Sequence, residues 1–199
     1  MVGEKLRLGC VVMAAGNARR FGENKLAARI EGRSLIRRAL EAVPAEAFCR
    51  VVVVTQYPDV EALAAEFGFL PVRNPRPDWG VSHTIRLGIE AAGECDAILF
   101  QVADQPLLRR ETVAAEADFF RRHPDKLVGL SHNGVRGNPC IFPARFFPEL
   151  LALTGDRGGS AVIRRHEEEL LLFEAAAAEL EDVDTPQALR TIAGRQGQA

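Results

Sequence analysis

The sequence reads as an α/β protein built on one mainly parallel sheet with helices on both faces. Three observations lead there. Short, valine-rich apolar runs recur, beginning with Leu8–Ala14 (LGCVVMA) and Arg50–Thr55 (RVVVVT), and such runs suit strands buried on both faces. Segments with helical apolar spacing separate these runs, which is the alternation of a parallel sheet with right-handed crossovers. The 199 residues are 47% hydrophobic and 26% charged, the balance of one globular domain and not of a disordered, collagen-like or disulfide-dense chain.

The elements follow in order. Leu8–Ala14 is the first strand, and the polar loop AGNARRFGENK follows it. Ser34 suits a helix N-cap before the pattern SLIRRALEAV, which Pro44 ends. Arg50–Thr55 is the second strand. Residues 59–67 are helical and Gly68 stops them. Residues 69–73 form a short strand, 82–92 a helix and 96–102 a strand. A helix over 111–123 precedes two strands, Leu127–His132 and residues 138–142. Residues 143–153 and 158–166 read as helical, 169–173 and 179–183 as weak strands, and 186–192 as a last helix. The whole chain, 1–199, reads as one domain, with residues 194–199 (GRQGQA) as a disordered tail.

Several classes drop out. No apolar run approaches the ~18 residues of a membrane span, and the net charge of −2 gives no electrostatic footprint for nucleic acid. The N-terminal stretch lacks the apolar core of a signal peptide, so a cytoplasmic setting is expected. Cys10, Cys49, Cys95 and Cys140 form no CxxC pair, three of them lie in or beside apolar runs, and all read as reduced core thiols. The four histidines show no i, i+4 metal pair. His83 is the one expected near a crevice, and Trp79 is expected to pack over a sheet edge.

In open α/β sheets ligands bind beyond the carboxyl ends of the strands, which directs attention to two loops. The first runs from Ala14 to Lys25. Ala14, Ala15 and Gly16 can bring backbone N–H groups close to phosphate oxygens, and Arg20 and Lys25 supply cations that suit a triphosphate. The loop is neither a Walker A sequence nor a GxGxxG fingerprint. A polar connection with surface arginines is its plainer reading. The second loop is Asp104-Gln105-Pro106, where a carboxylate at a strand end points into the same crevice; a capping aspartate is the alternative. A third element, Asp182-Val183-Asp184-Thr185-Pro186, turns directly after Asp184. Mg²⁺ needs carboxylates from separate segments to converge, and Asp104 and Asp184 are the candidates.

Together these residues resemble the MobA-like nucleotidyltransferase superfamily, most closely its molybdenum cofactor cytidylyltransferases (MocA-like). That family shows LAAGxSxRMGxxK after its first strand. Its arginine falls on Arg20 and its lysine on Lys25. Its GDQP matches Ala103–Pro106 and its DIDTPED matches Asp182–Pro186. Its GxSxSLRxGL, GxP and GDxGAR elements resemble the stretches beginning at Gly80, Gly137 and Gly155. The resemblance runs over about residues 8 to 190, six motifs in order. There are departures: Ala18 replaces the loop serine, Ala103 a glycine, Asn138 a histidine and Ser160 an arginine.

The resemblance implies a Rossmann-like three-layer α/β/α fold and transfer of CMP from CTP to a phosphorylated pterin, molybdopterin or Mo-molybdopterin. It implies Arg20, Lys25 and Asp104 as catalytic residues, and Ala14, Ala15, Gly16, Arg20, Lys25 and Ser82 at the nucleotide. It further implies Asp104 and Asp184 on Mg²⁺ (or Mn²⁺), and Gly137 and Asn138 at the acceptor. In that family AAG in the first loop goes with cytidine nucleotides, so Ala15 favours CTP. A molybdoenzyme would receive the product; neither nucleic acid nor membrane is an expected partner. The alternatives are transfer to a sugar phosphate or another phosphate acceptor, or a family member recruited as an oxidoreductase or a non-catalytic nucleotide-binding partner of a molybdoenzyme.

Overall fold

The structure, a computed structural model, describes residues 6–16 and 24–196. The chain runs β1 (Leu8–Ala14), β2 (Arg29–Ile30), β3 (Arg33–Ser34), α1 (Leu35–Glu41), β4 (Arg50–Thr55), α2 (Pro58–Glu66), β5 (Leu70–Arg73) and α3 (Val81–Ala92). It continues through β6 (Ala97–Val102), α4 (Arg110–Arg122), β7 (Leu127–His132), β8 (Val135–Pro143), α5 (Phe147–Leu151), α6 (Ser160–Ile163), β9 (Leu170–Glu174) and α7 (Pro186–Gln196).

Seven strands form one sheet in the order β5-β4-β1-β6-β8-β7-β9. β1 pairs in parallel with β4 and β6, and β4 with β5. β8 runs antiparallel to both β6 and β7, and β9 returns parallel to β7. From β1 the chain first builds outwards through β4 and β5, then crosses to β6 on the other side. The order therefore reverses between β1 and β6, and a ligand crevice opens at such a switch point.

Burial on both faces explains the apolar strands. Leu8, Cys10, Val12 and Ala14 pack into one core with Val51, Val53 and Leu99. Val11, Val52, Val54, Ile98 and Phe100 pack into the other. This is the two-residue period of a strand read from both sides. A Cβ on Gly88 would lie 2.5 Å from Val11 Cγ1, so α3 rests directly on β1.

The structure revises several expectations. Residues 179–183 are not a strand: a 3-10 turn, Ala177–Leu180, occupies part of them, and Val183 enters a small core with Ile30, Leu35 and Ile192. The segment 143–153 divides into a 3-10 turn, Ala144–Phe146, and α5. α7 continues through Gln196 and so takes in residues expected in the tail. The short β2–β3 hairpin carries no sequence signal beyond Glu31-Gly32, both at positive φ. Ser34 does cap α1, its Oγ accepting from the Arg37 N–H at 3.3 Å. Cys49 is exposed, whereas Cys10, Cys95 and Cys140 are buried. Trp79 is 51% exposed rather than packed over a sheet edge, and the Arg76 guanidinium lies over its ring.

α4 buries Glu116 completely, and neither carboxylate oxygen has a partner among the described residues. Burial pushes this carboxyl well above its ordinary value of 4.5. Stability that depends on the neutral acid is therefore complete below about 4.5 and is lost as pH rises towards the folded-state value. Glu116→Gln cannot ionise. It is expected to match the parent near pH 5 and exceed it near pH 8 by on the order of 1–3 kcal/mol. Urea unfolding at both pH values measures this; equal pH dependence in the two proteins contradicts it.

Candidate active site

Three segments meet beyond the carboxyl ends of β1 and β6. The first is the turn Lys25–Ala27, where Asn24 Oδ1 accepts from the Leu26 N–H at 3.1 Å and Leu26 is buried. That anchor projects Lys25 inward. The second is Asp104, which follows β6. The third is the irregular stretch around Val183, whose N–H donates to the Asp104 carbonyl at 2.8 Å. This backbone bond, together with burial of Val183, sets Asp182 and Asp184 beside Asp104.

The side chains converge. Lys25 Nζ donates to Asp104 Oδ2 at 2.6 Å and to Asp184 Oδ1 at 3.3 Å. Lys25 and Asp104 are mostly buried, while Asp184 is open to solvent. Burial acts to lower the Lys25 pKa, but the Asp104 and Asp184 carboxylates outweigh it and the net shift is upward. Asp182 is pushed up to about 6, first by burial and then by the negative charge of Asp104.

A cleft of about 380 Å³ opens above these groups. Its floor is Met13, Ala14, Ala15 and Gly16. Lys25 and Asp104 stand at one side, and Asp78, Gly80, Val81, Thr84 and Asp156 line the other. The end of β4 holds the floor in place. Thr55 Oγ1, Gln56 Nε2 and Tyr57 Oη donate to the carbonyls of Ala14, Ala15 and Gly16 at 3.0, 2.9 and 3.2 Å. With those carbonyls engaged, the loop's main offer to a ligand is its N–H groups.

A second cleft, of about 470 Å³, adjoins the acidic cluster. Gly137 and Asn138 line it together with Gln105, Arg136, Leu180 and Asp182. The dipeptide Asp104-Gln105 thus faces both clefts, one residue to each.

Of the residues singled out from sequence, Ala14, Ala15, Gly16, Lys25 and Asp104 come together at the first cleft. Asp184 joins them through Lys25, and Gly137 and Asn138 line the second cleft. Arg20 lies outside the described residues. Ser82 does not line the first cleft. α3 starts at Val81, so positions 81 and 84, three apart on one helix face, turn to the cleft. Position 82 turns inward, its N–H donating to the Gly155 carbonyl at 3.1 Å. Sequence reasoning passed over Thr55, Gln56 and Tyr57, whose positions follow β4 just as the first loop follows β1. It also passed over Arg136, the guanidinium of the second cleft.

Residues 10–170 match the MobA-like NTP transferase domain. The chain belongs to that family. This MobA-like protein is therefore a nucleotidyltransferase, and the sheet, the switch-point cleft and the fold implied by its motifs agree with that membership. It is 26% identical over 190 residues to the purine catabolism protein PucB of Bacillus subtilis (strain 168), covering 89% of this chain and 91% of that one. It is 34% identical over 141 residues to the 3-phospho-D-glycerate guanylyltransferase of Phenylobacterium zucineum (strain HLK1), covering 68% of this chain and 60% of that one. A solved nucleotidyl transferase from Methanothermobacter superposes with a TM-score of 0.81 at 22% identity, over 96% of this chain and 98% of the other. That last likeness shows the fold.

Proposed function

We propose that this chain, acting as one domain, transfers CMP from CTP to the terminal phosphate of molybdopterin or Mo-molybdopterin and releases pyrophosphate. The observation that carries the reaction type is the convergence of Lys25, Asp104 and Asp184 at the rim of a cleft floored by Ala14–Gly16. Ala15 favours the cytosine base through the family's first-loop pattern. A cytoplasmic setting and a molybdoenzyme that takes up the product belong to the same reading.

The donor set fits a divalent cation. Three carboxylates, Asp104, Asp182 and Asp184, stand against one ammonium, leaving excess negative charge among hard oxygen donors. Asp104 and Asp184 would hold Mg²⁺ or Mn²⁺, which on binding supplies neutralisation of the polyphosphate charge. The remaining work falls to the protein. The N–H groups of Ala15 and Gly16 bind phosphate oxygens at the cleft floor. Lys25 and Arg20 stabilise the negative charge that gathers on the departing pyrophosphate. The second cleft orients the acceptor through Gly137 and Asn138, with Arg136 available for an anionic group. An oxygen of the acceptor phosphate attacks the α-phosphorus as the bond to pyrophosphate breaks. A phosphate is already nucleophilic, so no side chain has to remove a proton, and the catalysis is positioning and charge stabilisation.

A second reading keeps the chemistry and changes both substrates: a guanine nucleotide and a small phosphorylated acid or sugar. The 34% identity to a 3-phospho-D-glycerate guanylyltransferase favours it. Pyrophosphate release with Mg²⁺ separates the two, with CTP, GTP, ATP and UTP each paired with Mo-molybdopterin, 3-phosphoglycerate and sugar phosphates. Release with CTP and Mo-molybdopterin alone is the expected result. Release with another pair overturns the substrates and keeps the mechanism. No release from protein that still binds nucleotide removes the transferase reading and leaves the non-catalytic partner.

A further inference from the structure

Cys49 and Cys95 belong to the opposite end of the sheet from the cleft. Cys49 immediately precedes β4, and Cys95 lies two residues before β6. Those strands are not neighbours, because β1 runs between them. Two backbone bonds clamp the segments to the start of β1: the Cys49 N–H donates to the Leu8 carbonyl at 2.8 Å, and the Asp96 N–H to the Arg7 carbonyl at 2.9 Å. The thiols nevertheless meet across β1, Sγ to Sγ at 3.5 Å. Gly9 leaves room for the Cys95 side chain: a Cβ at position 9 would stand 3.0 Å from Cys95 Sγ and crowd it. Cys49 is exposed and Cys95 is buried.

We infer that Cys49 and Cys95 form an oxidisable pair that closes to an intramolecular disulfide and ties β4 to β6 across β1. The sulfurs are in contact at 3.5 Å, and closing to the ~2.05 Å of a bond requires the segments ahead of β4 and β6 to draw together. The co-reactant is a hydroperoxide. The Cys49 sulfur attacks the terminal peroxide oxygen and the O–O bond breaks. Cys49 becomes a sulfenic acid, and the alkoxide or hydroxide that leaves takes the thiol proton. The Cys95 sulfur then attacks the Cys49 sulfur. The S–S bond forms, hydroxide leaves, and it departs as water with the Cys95 proton. Two thiols have lost two electrons and the peroxide has gained them. Burial, and then the hydrogen bond with Cys49, hold Cys95 up to about 12, so it waits as the thiol while exposed Cys49 meets the oxidant. Cys10 and Cys140 are buried elsewhere, and burial raises both; they stay out of the reaction.

Hydrogen peroxide treatment of the full chain, followed by thiol blocking and peptide mapping without reductant, tests the pair. The expected product is a Cys49–Cys95 linked peptide, lighter by two hydrogens than the two free peptides. A rise in melting temperature of roughly 5 °C should accompany it and vanish on adding dithiothreitol. Cys49→Ser, a surface change away from the cleft, should abolish both effects and leave nucleotidyl transfer as it was. Two results overturn the inference: Cys49 carried on to sulfinic acid while Cys95 remains a free thiol, or Cys49 linked to a second copy of the chain.

Discussion

Asp104→Ala and Lys25→Ala are each expected to lower the rate of nucleotidyl transfer by about 10²–10³, the loss typical of a removed electrostatic contact in a preorganised site. Both proteins should remain folded. Asp104 meets Lys25 at 2.6 Å, and Lys25 also reaches Asp184 at 3.3 Å. Removing the lysine leaves two carboxylates facing each other without their counter-ion. Removing Asp104 takes away a carboxylate that the β6 end and the Val183 backbone bond hold in place. The backbone bond itself survives either substitution, because it uses the Asp104 carbonyl. The three side chains act as one cluster, so the double variant should lose less than the product of the two single losses. Single-turnover pyrophosphate release, read beside circular dichroism and thermal melting, measures the effect. A folded and fully active Asp104→Ala protein would remove that residue from the mechanism.

Gly80→Ala is expected to cost roughly 2–4 kcal/mol, from backbone strain and a steric clash combined, and to weaken nucleotide binding. Gly80 has φ 85° and ψ −176°, a region that essentially only glycine occupies. A Cβ there would also lie 2.4 Å from the Gly155 carbonyl carbon and 2.7 Å from Asp156 Oδ1. Backbone cannot swing aside as a side chain can. The loop carrying Gly155 and Asp156 would move off the start of α3, taking with it the bond from the Ser82 N–H and part of the cleft wall. Gly155→Ala separates the two contributions. Gly155 also has positive φ, 62°, but a Cβ there meets nothing within 4 Å, so about 1 kcal/mol of strain is expected alone. Denaturant unfolding of both variants reads the difference, and equal losses would remove the clash from the account.

Much of the architecture was legible because burial on two faces writes an unambiguous pattern. The runs LGCVVMA and RVVVVT cannot be strands with a wet face, and helices of suitable length separate the apolar runs. Loop chemistry was legible for a different reason. Asp104 lies just beyond a strand, Lys25 closes the loop that follows another, and Asp184 directly precedes the Thr185-Pro186 turn, all places where a polar residue in an α/β sheet can meet ligand. The motifs carried the same residues through their order along the chain. The motif that begins at Gly80 assigns Ser82 to the nucleotide, and only the helix start at Val81 sets which positions face the cleft.

What the sequence determined by itself is the alternation of strands and helices, the switch-point address of the site and the residue types brought to it. What the tertiary structure decided is contact. Lys25 and Asp104 are 79 residues apart, and Lys25 and Asp184 are 159 apart. Asp184 is brought to the other two by one backbone bond from Val183 and by the packing of Val183 beside Ile30 and Leu35. Cys49 and Cys95 meet although their strands never pair, with Gly9 of the strand between them beside the Cys95 sulfur. Local pattern reports how each residue prefers to be buried. Which distant residues share a burial site depends on the free energy of the whole packed core, and no short window of sequence contains that quantity.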